Sequence, residues 1–169
     1  MKVINIFGGP GVGKTTQAHD LFVHLKKSGY NTDIIPEYAK KLVYRNNIDI
    51  LEHDQQYIFS KQLHEYRIRE KSGVEIAISE SPLPLSIVYN RITLSEDFKS
   101  FENFVWHEFN KYKNLNIFLK RETEYQTIGR TQSEDVAKTV DSVVSEVIRN
   151  LGCIEMGLEG FVEKVIKML

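Results

Sequence analysis

The sequence predicts an α/β fold: a five-stranded parallel sheet in one domain, flanked by helices on both faces. Three observations carry that expectation. Short apolar segments rich in β-branched residues alternate along the chain with longer segments of helical period. The clearest of them, Lys2 to Phe7 (KVINIF), is apolar on both sides, as buried parallel strands are. The unusual polar clusters fall just after strands, where such folds bind ligands.

The elements follow in order. After the Lys2 to Phe7 strand comes a glycine-rich turn. From Thr15 onward Ala18, Leu21, Phe22 and Leu25 recur at helical spacing, with Gly29 placed for a left-handed C-terminal cap. Thr32 to Ile35 is a second strand closed by Pro36, and a helix is expected from Glu37 or Tyr38. A longer helix is expected from about Glu52 to Lys71, before Gly73, with Asp54 as an N-terminal charge. Val74 to Ile78 is the third strand. Pro82 then suits the first turn of a helix reaching about Asn90. Residues 98–112 read as an aromatic-rich helix, and Asn116 to Leu119 as the fourth strand. The twelve residues KRETEYQTIGRT that follow are polar and aperiodic. Val136, Val140, Val143, Val144, Val147 and Leu151 then mark an amphipathic helix, opened by a Thr131/Glu134 capping box and ended by Gly152. Ile154 to Met156 is a short fifth strand, and Leu158 to Leu169 a closing helix. Right-handed crossovers between parallel strands are expected throughout.

A chain of 169 residues is the size of one domain and buries enough surface to need no disulfide. Cys153 is the single cysteine, which excludes an internal disulfide and suits a reducing compartment. No N-terminal run is long enough to span a bilayer, so a cytoplasmic location is expected. Twenty-two basic and 23 acidic residues leave a net charge of −1, and nothing draws the chain as a whole to nucleic acid or to an anionic membrane. Five histidines occur without H-x-x-x-H spacing, so no protein-held metal site is expected.

The stretch GGPGVGKTT, Gly8 to Thr16, carries the chemistry. Gly8 to Thr15 fits G-x-x-x-x-G-K-[ST], the phosphate-binding loop, between a strand and a helix as that loop requires. Glycines let the backbone curl with positive φ, so that successive N–H groups point inward and no side chain intrudes on a phosphate. The helix start adds unpaired N–H groups and the positive end of its dipole. Gly8, Gly9, Gly11, Val12, Gly13, Lys14, Thr15 and Thr16 are thus the expected nucleotide contacts, with Lys14 on the β- and γ-phosphates and Thr15 on Mg²⁺. The fold class is therefore that of a single-domain phosphate-loop NTPase.

The remaining clusters choose among such proteins. No N-K-x-D guanine signature is present, and no acidic pair of the motor-ATPase kind. A small-molecule kinase needs a carboxylate for the acceptor hydroxyl, a second carboxylate near the metal, and cations for the charge on the transferred group. Glu37 after the second strand fits the first role and Glu80 after the third fits the second. Each also suits a simpler reading, as a charge at a helix N-terminus or a solvated loop acid. Arg121 and Arg130 bracket the polar segment 121–133, which has the character of a water-excluding lid with catalytic arginines, or else of a solvated loop. Gln55 and Gln62 share a face with Phe59, Leu63 and Tyr66, and their amides bond either a ligand's polar edge or backbone and water. Tyr38, Tyr89, Tyr125 and Trp106 are candidates to stack on a base, although aromatics so placed are more often core.

GGPGVGKTT, PEYAKKLVY, DQQYIFSKQ, AISESPLPLS and FLKRETEYQTIGRTQSEDVAKTVD, in that order, resemble the ribosylnicotinamide-kinase-like phosphate-loop ATPases, relatives of nucleoside and nucleotide kinases. The resemblance spans most of the chain. It implies ATP and Mg²⁺ as cofactors and phosphorylation of a ribosyl or deoxyribosyl hydroxyl or of a nucleoside monophosphate. A nucleic-acid 5′-hydroxyl or modified-base kinase and a regulatory ATPase are the alternatives. It also implies Glu37 as the acceptor-side acid, Glu80 as the metal-side acid, and Arg121 and Arg130 as lid cations; Tyr38, Gln55 and Gln62 are substrate-contact candidates from their own positions, and a monomer or homodimer is expected. One departure stands out: nucleoside kinases often follow the metal-side glutamate with arginine, whereas Glu80 precedes Ser81 and Pro82, leaving the acceptor-side cation unassigned. The adenylyltransferase domain that bifunctional relatives carry has no room in this length.

Overall fold

The computed structural model describes residues 1–93, 98–122 and 134–169. Five strands, β1 (Lys2–Phe7), β2 (Thr32–Ile35), β3 (Ile76–Ser79), β4 (Lys113–Leu119) and β5 (Ile154–Met156), form one sheet in the order β2-β3-β1-β4-β5. Every pairing is parallel. The helices are α1 (Lys14–Lys27), α2 (Tyr38–Tyr44), α3 (Ile48–His53), α4 (Gln55–Lys71), α5 (Leu85–Ile92), α6 (Phe98–Phe109), α7 (Glu134–Ile148) and α8 (Phe161–Ile166).

Central strand β1 divides the core by its alternation. Ile4 and Ile6 face α1 and α8, meeting Ala18, Leu21, Leu25, Phe161, Val162 and Val165. Val3 and Phe7 face the other layer, with Phe59, Leu63 and Tyr66 of α4, Val105 and Phe109 of α6, and Val140 and Val144 of α7. At six residues α8 is too short to persist alone. It is held by burial of Phe161, Val162 and Val165, each contributing roughly 1.5–3 kcal/mol.

Several boundaries differ from the sequence expectation, each for a local reason. The helix expected from Glu52 is two helices broken at Asp54, whose φ of −132° is extended and whose carboxylate accepts the Tyr57 N–H at 2.9 Å. Asp54 is thus an N-cap, placed to end α3 and start α4. Pro82 lies ahead of α5, which begins at Leu85 after Pro84; the Pro82 carbonyl accepts the Leu85 N–H in the preceding turn. Residues 110–112 turn rather than continue α6, and α8 starts only at Phe161, after Gly160 in the left-handed region. β3 is displaced to Ile76–Ser79, since the Val74 and Glu75 N–H groups bond Arg69 and Asn31 carbonyls instead. The Thr131 capping position lies outside the described residues.

β4 begins at Lys113, three residues before the sequence suggests. Its polar start is explained by Asn5, wholly buried in the middle of β1, whose amide donates to Asn114 Oδ1 at 2.9 Å and to Asn116 Oδ1 at 3.0 Å. Beside it, the buried Tyr66 hydroxyl donates to Ser79 Oγ at 2.7 Å, with Asn5 Oδ1 at 3.5 Å. Burial pushes the Tyr66 phenol well above its ordinary pKa, so it remains a donor. Tyr66→Phe is expected to lower the unfolding free energy by about 1–3 kcal/mol, because it strips a partner from buried polar groups. A urea titration that moves the midpoint without changing the slope is the confirming result.

Candidate functional site

The site grows from the backbone of the loop between β1 and α1. Gly13 has φ 95° and caps α1 without a side-chain bond, so the first-turn amides remain available to an anion. Lys14 curls back over the loop, its Nζ donating to the Gly8 carbonyl at 2.7 Å and the Gly9 carbonyl at 2.8 Å. Two side chains from elsewhere bond the same loop. Asp141 of α7 accepts the Gly9 N–H at 2.7 Å, and Arg121, just past β4, donates from Nη2 to the Pro10 carbonyl at 2.9 Å. Arg121 Nε also donates to Asp141 Oδ2 at 2.7 Å. Val12 turns its side chain into the α1 core and offers the site only its backbone.

Glu80 follows β3 at the same sheet edge. Its carboxylate, 5% exposed, accepts the Thr15 hydroxyl at 2.6 Å. His19 Nδ1 stands 3.8 Å from its other oxygen. A hydroxyl and a carboxylate in contact at the end of a phosphate-type loop are hard oxygen donors of the kind Mg²⁺ takes. Two protein oxygens fit an ion that completes its shell with phosphate and water, so the residues present fit Mg²⁺ bound with a nucleotide.

Glu37, at the end of β2, sits with Lys14 and Thr15 on the wall of a cavity of about 620 Å³ that runs from the loop to helices α2–α5. Pro10, Gly11, Gly13 and Thr16 line its loop end; Gly8 and Gly9 do not, their carbonyls being turned to Lys14. Burial pushes the Glu37 carboxyl above the ordinary glutamate range; Glu80 adds to this, while Lys14 and Lys40 oppose it. Burial likewise draws the Lys14 ammonium below its usual value, opposed by Glu37, Asp141 and Glu80 and reinforced by Arg121. The centre is therefore a desolvated cation among three carboxylates, with Glu37 inclined to hold a proton.

Gln62 holds Glu37 in place. Its Nε2 donates to the Pro36 carbonyl at 3.1 Å and its Oε1 accepts the Tyr38 N–H at 3.0 Å, clamping both neighbours of Glu37. Gln55 lines the cavity too, but its Nε2 donates to the Leu51 carbonyl at 2.7 Å across the α3–α4 break. Of the two readings for these amides, the structure displays bonds to backbone. Tyr38 does not line the cavity; its hydroxyl meets that of Tyr57 at 3.0 Å and the rings pack edge to face. Trp106 packs edge to face on Phe109 at the core, whereas Tyr89 does reach the cavity. Arg130 and Tyr125, with the rest of the expected lid from residue 123 to 133, lie outside the described residues. Sequence reasoning missed Lys40 and Glu52 on the cavity wall and Asp141 behind the loop. Asp141 had a signal: it follows Val140 and stands four residues after Ala137 and three before Val144, an acid on a helix's buried side.

A parallel sheet whose central strand runs into a curled glycine loop, with carboxylates at the neighbouring strand ends, defines a phosphate-loop nucleotide-binding α/β protein. The chain belongs to the AAA domain family, whose model matches residues 3–160. No curated protein matches it significantly in sequence. Among solved structures it is similar to NadR protein in complex with NR, at 18% identity and a TM-score of 0.72, over 94% of this chain and 45% of that one. It is similar also to NadR protein in complex with NAD and AMP-PNP, at 17% and 0.64, over 98% and 48%. A third is deoxyadenosine kinase from M. mycoides with bound dATP, at 16% and 0.58, over 99% and 98%. The chain spans less than half the length of the NadR chains, and at these identities the likeness is one of fold. The expected kinship with ribosylnicotinamide-kinase-like proteins holds at the level of family and fold. No helix among the described residues is long and apolar enough to cross a membrane.

The Gln62 clamp has a measurable consequence. Gln62→Leu leaves the Pro36 carbonyl and Tyr38 N–H without their side-chain partner, and is expected to cost about 1–3 kcal/mol of stability by thermal denaturation.

Proposed function

We propose that the protein is a kinase that uses ATP and Mg²⁺ to phosphorylate a hydroxyl of a nucleoside-like small molecule, nicotinamide riboside or another nucleoside. The observation that carries this reading is the single cavity in which Glu37 faces Lys14 and Thr15. One end has the phosphate loop; the other has a carboxylate beside an apolar chamber formed by Ile58, Phe59, Leu83, Leu85 and Tyr89. The fold likeness to deoxyadenosine kinase and NadR protein points the same way.

In this reading Lys14 and the loop amides hold the donor phosphates, and Glu37 orients the acceptor hydroxyl and takes its proton as the new phosphorus–oxygen bond forms. Thr15 and Glu80 would hold Mg²⁺, which when bound neutralises charge on the phosphoryl oxygens. Arg121, already against the loop, adds positive charge on that side. Arg130 is assigned to the transferring phosphate by its place in the polar segment and by the resemblance. A protonation-prone Glu37 suits a base that must accept a proton and release it each turnover.

Charge on the cavity wall favours a hydroxyl acceptor over a nucleoside monophosphate. Away from the phosphate loop, the charged residues that line it among those described are Glu37, Glu52 and Lys40. Among those described residues a phosphate dianion would meet two carboxylates and one lysine, and no arginine fork. Lys40 is the candidate for the acceptor-side cation.

Label transfer from γ-labelled ATP to a panel of nucleosides and their monophosphates tests the reading. Labelling of a nucleoside is expected; ATP hydrolysis that no acceptor accelerates would overturn it. Lys14→Ala is expected to abolish transfer. Glu37→Gln should cut turnover by roughly 10²-fold or more while ATP affinity stays nearly the same. The raised carboxyl also fixes a sign. Ionising Glu37 costs the folded state free energy, so the stability tied to its neutral form is lost as pH rises through the raised folded value. Glu37→Gln is therefore expected to be more thermostable than the parent at neutral pH and to lose that advantage near pH 4, by paired melting curves.

A further inference from the structure

Among the described residues, Asp141 is an acid of the site to which the proposed function gives no part, and its contacts are specific. Oδ1 accepts the Gly9 N–H at 2.7 Å, Oδ2 accepts Arg121 Nε at 2.7 Å, and Arg121 in turn donates to the Pro10 carbonyl at 2.9 Å. Asp141 is 21% and Arg121 15% exposed in the side chain, so this pair is largely shielded from solvent and screened little. With Lys14 on the Gly8 and Gly9 carbonyls, backbone groups of the first three loop residues are bonded by charged side chains from three different elements.

Gly9 supplies an independent observation. A Cβ on Gly9 would lie 2.2 Å from Asp141 Oδ1 and 3.1 Å from the Ala137 carbonyl. The second glycine of the loop is thus a contact position for α7, which docks directly on the backbone there, whereas Gly13 answers to a left-handed φ. Asp141 also adds to the negative field at Lys14 and helps keep that buried ammonium charged.

We propose that Asp141 is a positioning residue for the nucleotide donor: by accepting from Gly9 and pairing with Arg121, it clamps the first turn of the phosphate loop in its nucleotide-ready curl. Asp141 touches no reacting atom. It acts through the loop amide and through the guanidinium that holds Pro10, so its effect falls on donor binding and leaves the acceptor end of the cavity alone. The inference rests on the phosphate loop binding ATP, which the kinase reading shares.

Equilibrium titration of the full chain with a fluorescent ATP analogue and Mg²⁺, without acceptor, separates the two. If the parent protein binds no nucleotide, the functional reading fails along with the clamp. If the parent binds, Asp141→Ala is expected to weaken binding about tenfold or more. Asp141→Asn should weaken it less, since its amide oxygen still accepts from Gly9 while the ion pair to Arg121 is lost. Gly9→Ala tests the geometry from the other side. It should weaken binding by driving Asp141 off the loop, and Gly9→Ala/Asp141→Ala should bind better than Gly9→Ala alone, because the smaller side chain relieves the overlap. In transfer assays the loss should appear in the KM for ATP and not in the KM for the acceptor. Nucleotide affinity within twofold of the parent in folded Asp141→Ala, or a loss confined to the acceptor KM, would each overturn the proposal.

Discussion

Everything at the site depends on the register of three parallel strands. β1 pairs with β3 so that Asn5 stands opposite Ser79, and with β4 so that Phe7 stands opposite Phe118. Gly8, Glu80 and Arg121 therefore leave the sheet at the same edge, close enough for Thr15 to reach Glu80 and for Arg121 to reach Pro10. The buried amide of Asn5 and the half-buried amides of Asn114 and Asn116, with Tyr66 and Ser79, hold that register. A two-residue slip would keep every apolar side chain on its face but separate these pairs, at a cost of about 1–3 kcal/mol for each unsatisfied group. The polar ladder thus supplies the discrimination that hydrophobic alternation lacks.

Above that edge the electrostatics are close to balanced and mostly desolvated. Lys14 is a buried cation with Glu37, Asp141 and Glu80 around it and Arg121 adding positive charge. Such a centre is costly to assemble, because burial disfavours the charged forms of Lys14 and Glu37. Lys14 is satisfied by the loop carbonyls, and burial inclines Glu37 toward its neutral form.

Two helices carry this arrangement to the rest of the molecule. α4 presents Tyr66 to the strands, Phe59 to the core and Gln62 to both neighbours of Glu37, so one helical face connects sheet register to the position of Glu37. α7 buries Val140 and Val144 in the same core while turning Asp141 to the loop. Arg91 of α5 bonds Glu102 of α6 and Glu146 of α7, joining a cavity wall to the helix that contacts the phosphate loop.

The sequence by itself determined the architecture and the placement of the glycine loop and the strand-end carboxylates, since both are written in local terms. Strand and helix periods differ, and GGPGVGKT restricts its backbone through glycines that need no distant partner. Hence the parallel five-stranded sheet, the phosphate loop and the strand-end placement of Glu37 and Glu80 were all legible. Only the tertiary structure decided what the remaining polar side chains bond. Gln62 and Gln55 read equally as ligand contacts, yet their partners are backbone groups 24 to 26 residues away and four residues away, and no spacing rule distinguishes those cases. Tyr38 turned to Tyr57, β4 began early because Asn114 answers Asn5, and Asp141 reached a loop 132 residues distant in sequence. Long-range hydrogen bonds leave no periodic trace in a chain, because their geometry exists only once the elements have packed.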